Sequence, residues 1–84
     1  MPVKSAAGVE FLLTEIETGK TFVRLASQAD SEEKVERNRN NARKAYDSVL
    51  KFMERVVLNQ AERLRIEKGL QELKRNLNDL GETV

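Results

Sequence analysis

Apolar residues return every three to four positions through most of this chain, and they do so in three blocks separated by polar clusters. From about Ser5 to Ala29, Val9, Leu12, Leu13, Ile16, Val23 and Ala26 share one face at roughly 100° per residue, which predicts a first helix. From about Ser31 to Val57 the stripe is Val35, Ala42, Ala45, Tyr46, Val49, Phe52, Met53 and Val56, while the other side carries Arg37, Lys44, Asp47, Lys51, Glu54 and Arg55. From about Gln60 to Leu80 the stripe is Ile66, Leu70, Leu73, Leu77 and Leu80.

The boundaries come from capping chemistry. Asp30 can accept from free N–H groups of the second helix while Glu33, three residues on, reaches back, so the pair reads as a capping box. Asn59 and Glu62 read the same way, with Leu58 just before them able to pack on the new helix. A helix running unbroken through Asn59 is the alternative, and would make helices 2 and 3 one arm of a long hairpin. It would set Leu58 among charges and turn the last stripe away from the stripe before it, so a break is the preferred reading. Gly81 stands where a left-handed cap would close helix 3, and Glu82 to Val84 are expected to fray.

Two short links joining three helices imply a single all-α domain over residues 1–84, an antiparallel up-down-up three-helix bundle. Folding about Asp30 sets Gly19 opposite Ala42 and Ile16 opposite Ala45. Folding about Asn59 sets Gly69 near Val49 and Leu73 near Ala45. Both glycines cost helix propensity, about 1 kcal/mol each against Ala, so close helix contact is their expected reason.

Composition sharpens this picture mainly by exclusion. A chain of 84 residues is one domain and buries only about 60–65% of its unfolded surface, so its core is thin. The four glycines and single proline, Pro2, leave too little punctuation for a sheet. The 15 basic and 14 acidic residues are mixed along the chain and nearly cancel, which favours neither a polyanion-binding tail nor an acidic one. No cysteine is present, which suits a reducing compartment, with the cytoplasm as the default. The segment from Met1 to Leu13 is too short, and too interrupted by Glu10, for a secretory or membrane-spanning stretch, and the chain reads as soluble, unprocessed and free of the membrane.

With no histidine and no cysteine, the four serines Ser5, Ser27, Ser31 and Ser48 have no base to activate them, and the carboxylates lack the His partners of a helical metal centre. The run Asp30-Ser31-Glu32-Glu33 lacks the spacing and central Gly of a calcium loop. No Gly-rich phosphate loop occurs. We therefore expect no enzyme, no metal and no cofactor.

Three features remain. Asn38 is a polar residue inside an apolar stripe, where it can satisfy a helix 1 carbonyl or the end of helix 3 near Leu80, or else bind a ligand alongside Arg39 and Asn41. Beside Tyr46, whose ring belongs to the stripe, Asp47 reads as solvated. Arg37, Lys44, Lys51 and Arg55 form one exposed line with Asn41 and Ser48 between them, a possible anion-binding row, although no aromatic side chain shares that helix face, Glu36, Asp47 and Glu54 lie immediately beside it, and a solvated face with intrahelical ion pairs is the preferred reading. Lastly, Phe11, Phe22, Leu25 and Ala29 add a second apolar line to helix 1, so that only Glu10, Glu17, Thr21, Arg24 and Gln28 leave it a polar side. Leu64 also lies off the stripe of its own helix.

The segment Asn41-Ala42-Arg43-Lys44-Ala45-Tyr46-Asp47 resembles the A-x-x-A-Y segment of tetratricopeptide and MIT-type helical hairpins. The likeness spans one or two turns, lacks the repeat-defining Trp, Gly and Pro positions, and carries over no binding residue; it implies only a module that meets peptides or helices. The reading is then a non-enzymatic interaction or scaffold domain that self-associates as a homodimer, or meets another protein helix, through Phe11, Phe22, Leu25 and Leu64. The alternative is a small nucleic-acid-associated regulator that uses Arg37, Lys44, Lys51 and Arg55.

Overall fold

A helix can serve as the common wall of a small bundle only if it packs on two sides at once, and the first helix of this protein does so. The computed structural model describes residues 5–84. The helices are α1 (Ser5–Gln28), α2 (Glu32–Met53) and α3 (Gln60–Asp79), and α1 packs against both others, with α1–α2 the most extensive contact and α2–α3 the least. The bundle is antiparallel and up-down-up. Residues 1–4, including Pro2 and the one Lys of the N-terminal patch, lie outside the described residues.

The first boundary differs from the sequence expectation by one residue. Ser31, not Asp30, is the N-cap of α2: its backbone is extended at φ −147°, and Lys34 N–H donates to its hydroxyl at 3.2 Å. The extended backbone at Ser31 starts the helix one residue later, which leaves Glu32 and Glu33 in the first turn beside the positive end of the helix dipole. Asp30 instead forms an ion pair with Lys34 at 3.1 Å.

The second boundary is the expected break, and it rules out a continuous helical arm. Glu62 N–H donates to Asn59 Oδ1 at 2.8 Å and Asn59 N–H donates to Glu62 Oε1 at 3.0 Å, a closed capping box. Helix α2 stops at Met53, short of Val57, because Val56 turns inward to 6% exposure against Gly8 of α1. Leu58 packs against the core as expected.

Helix α3 closes with a Schellman turn: Gly81 takes φ +96°, its N–H donates to Asn78 O at 2.9 Å, and Glu82 N–H donates to Leu77 O at 3.0 Å. The expected fraying does not occur. The turn throws the chain back onto α2, where Glu82 Oε2 lies 2.9 Å from Arg39 Nε, off the line of its N–H, and Arg43 Nη1 donates to Glu82 Oε1 at 3.3 Å and to Thr83 O at 3.2 Å. Val84 packs against the core. The guanidinium of Arg43 is held more basic than usual, first by its hydrogen bond to Asp47, with Glu82 adding to the effect and burial opposing it.

Leu12, Ile16, Val49, Ile66, Leu73 and Leu77 are enclosed at the centre, and no polar side chain is buried with them among the described residues. The glycines do permit close approach, but in another register. Gly19 meets Leu73 of α3 and Ala45 of α2 rather than Ala42, and Gly8 meets Val56, so antiparallel pairing of α1 and α2 is centred near Glu32 and displaced by about one turn. Gly69 faces Ile16 of α1 rather than Val49 of α2, because α3 nests over α1, and Leu73 rests on Gly19. Lys20 Nζ bridges the same pair of helices by donating to Glu72 Oε2 at 2.6 Å. That hydrogen bond and the charge behind it hold the Glu72 carboxyl below the usual glutamate range, burial opposing and Lys68 and Arg75 assisting.

Two predictions follow from this packing. A methyl group at Gly8 would sit 2.5 Å from Val56 Cγ1 and 3.3 Å from its Cβ, a stiff obstacle, whereas one at Gly69 would meet Ile16 atoms no closer than 3.2 Å. Gly8→Ala should therefore lose about 1–2 kcal/mol in urea unfolding, overpacking outweighing the propensity gain, and Gly69→Ala should lie within about 0.5 kcal/mol of wild type. Because the Glu72 pKa is depressed on folding, the unfolded chain binds the proton more readily, so the stability this group supplies is complete above the ordinary glutamate range and is lost as pH falls through the folded value. Glu72→Gln should flatten that acid limb in a stability–pH profile and leave the rest of the profile parallel to wild type.

Candidate interaction surface

The outer seam of α1 and α2, on the side away from α3, brings together residues that the sequence placed in two separate groups. Helix α1 contributes Phe11, 41% exposed, and Leu25, 44% exposed. Phe22, on the same line between them, is only half-buried at the surface and packs against the core, so it belongs partly to the fold. From Phe11 to Leu25 the line runs about 21 Å along the helix.

Phe11 lies against Phe52 of α2, ring centroids 4.4 Å apart and planes tilted by 51°, a favourable aromatic geometry. The two rings, with Ser48, Lys51 and Arg55, line a shallow groove of about 270 Å³. The absence of aromatic rings from the face of α2 that carries the cations thus holds within that helix but not in the folded protein. Tertiary packing carries Phe11 to the row, a juxtaposition across two helices that no local pattern reveals. At the far end of the seam, Leu25 borders a second depression of about 310 Å³ with Gln28, Ala29, Lys34 and Asn38.

Arg37, Lys44, Lys51 and Arg55 are all exposed, and none forms an ion pair among the described residues. The intrahelical pairing that would have explained the row is therefore absent from it. At positions 37, 44 and 51, with Asn41 and Ser48 between, the row holds within about 40° of one line and spans about 21 Å of α2, and Arg55 follows in the turn just past Met53. By contrast, Lys20, Lys34, Arg39 and Arg43 all meet carboxylates.

Asn38 serves neither α1 nor the end of α3. Its amide donates to Lys34 O at 2.9 Å, within its own helix, and the carbonyl of Leu80 is met by Arg39 Nη1 at 3.4 Å. The longer side chain spans to α3 where the amide falls short, and its engagement there removes Arg39 from any ligand group with Asn38. Asp47 is held by Arg43 Nε at 3.3 Å rather than standing alone in solvent.

Leu64 is 60% exposed but does not join this seam. Gly69 of the same helix faces α1, and five residues of helical rotation turn Leu64 about 140° away from it. Two exposed residues were missed from sequence: Leu50 at 44% and Val57 at 63%. Leu50 borders a groove of about 450 Å³ between α2 and α3 with Tyr46, Met53 and Leu70. Its place off the main stripe of α2 was the available signal, whereas the exposure of Val57 depends on α2 ending early.

Among the described residues no cluster of three or more His, Cys, Asp or Glu side chains is placed to hold a metal, and no helix is long and apolar enough to cross a membrane. Comparison with protein-family models, curated proteins and solved structures returns no match.

Proposed function

We propose that this chain is a non-enzymatic interaction domain that associates with a second copy of itself through the outer edge of α1. The observation that carries the reading is the exposure of Phe11 and Leu25 on one line of a helix whose opposite face is already occupied by two neighbours. A thin-cored domain gains most by covering such residues, and a two-fold contact covers them on both copies. Leu64, on a different face, would serve a separate contact. The residue inventory, without histidine or cysteine, supports a binding role over catalysis and suits a reducing compartment such as the cytoplasm.

A second reading has one observation in its favour: four cations in a row without carboxylate partners, beside a pair of aromatic rings, suit a nucleic-acid-associated regulator. The near-neutral chain weighs against it.

Light scattering over micromolar concentrations separates these readings. Wild type should approach the mass of two chains, and Phe11→Ser with Leu25→Ser should return it to one; Phe22 is left intact because it also supports the core. A wild-type chain that remains single throughout would end the first reading. The second requires binding to duplex or single-stranded DNA that weakens with added salt, with a log–log slope of about −3 to −4 for four phosphate contacts, and absence of binding at low salt would end it.

A further inference from the structure

Charge decides how two such surfaces can meet. The seam carries an unpaired basic row on α2, while α1 carries acids beside its apolar line: Glu10 and Glu17 on the polar edge just beyond Leu25, and Glu15, half-buried at the seam itself. Glu10 and Glu15 form no ion pair among the described residues, and Glu17 reaches only Lys20, at 3.8 Å, while remaining 74% exposed. One chain therefore presents a positive rim and, over the Glu10–Glu17 stretch of α1, a negative rim on either side of the same apolar seam, with Arg24 further along the same edge of α1.

Resting on the self-association proposed above, we infer that the second copy docks face to face about a two-fold axis parallel to the helices, so that each α1 lies across α2 of the other copy. The competing two-fold arrangement, with its axis across the helices, stacks α1 on α1 and α2 on α2, and sets the two basic rows against one another. Like charges brought together along an entire interface weaken association, so the first arrangement prevails. Rotation about an axis along the helices preserves height. Because α1 and α2 pair about Glu32, Phe11 then arrives level with the partner subunit's Phe52, and the two ring pairs combine into one cluster of four. Glu10 comes level with the partner subunit's Lys51 and Arg55, and Glu17 with the partner subunit's Lys44 and Lys51. The apolar seam supplies the area, and the charged rims select which way round the copies sit.

Charge reversal tests this mode separately from association itself. Lys51→Glu with Arg55→Glu should weaken the dimer by on the order of tenfold or more in sedimentation equilibrium at low salt, and Glu10→Lys with Glu17→Lys should do likewise. Mixing the two variants should give a heterodimer tighter than either homodimer, since every reversed charge then meets its complement on one side of the two-fold axis, and placing all four substitutions in one chain should restore wild-type affinity. These side chains are exposed, and circular dichroism should show unchanged helicity. If wild type dimerises but the two reversals leave it unaffected, or the four-fold variant fails to recover, the docking mode is overturned while the self-association reading stands. If wild type remains monomeric, both are overturned.

Discussion

Leu73 of α3 settles on the bare backbone of Gly19, and Ile16 of α1 does the same over Gly69, so that each helix offers a gap to the other's bulk. This exchange sets the distance between α1 and α3, and with Gly8 against Val56 it sets α1 close to the end of α2 as well. So short a chain has few large side chains to enclose, and burying Leu12, Ile16, Ile66, Leu73 and Leu77 almost completely requires the backbones to come near. The glycines lower the helical preference of two of the helices in return for that proximity.

The same constraint shapes the surface. Because α1 commits one arc to α2 and another to α3, Phe11 and Leu25 lie past the limit of what two neighbours can cover. Phe22 sits at that limit and is shared between core and solvent. Helix α2 turns its stripe toward both neighbours and leaves Arg37, Lys44 and Lys51 outward, and Lys51, with Arg55 just past the helix end, lies beside Phe11 at the uncovered edge of α1. Apolar and basic character therefore meet along one seam as a geometric result of how three helices divide a small core.

Much of the fold was legible because its signals are local. The box of Asn59 and Glu62 lies within four residues, and the left-handed turn at Gly81 needs only one residue that tolerates positive φ. The first cap was harder, since Asp30 and Ser31 both have suitable oxygens and only backbone direction chooses between them. Register was not legible: folding about Asp30 gives a pairing one turn from the true one, because the pivot depends on how the connection is packed. Of the interaction surface, the α1 residues were readable from excess apolar arc and the basic row from its period. Their adjacency was not, as it depends on Phe11 meeting Phe52 across two helices. The fastening of Glu82 to Arg39 and Arg43 joins residues about forty positions apart in sequence, beyond any local pattern.

That fastening alters which part of the molecule should open first. Terminal turns of small bundles are ordinarily where fluctuation begins, since few contacts restrain them. Here, peeling back the last turn of α3 must release two guanidinium groups and withdraw Val84 together, which couples that turn to the middle of α2. The looser point shifts to the opposite end of α2, where Val57 is 63% exposed between the two core-packed residues Val56 and Leu58. Slow amide exchange would then be found near the C-terminal end, and the earliest solvent penetration at the hinge leading into α3.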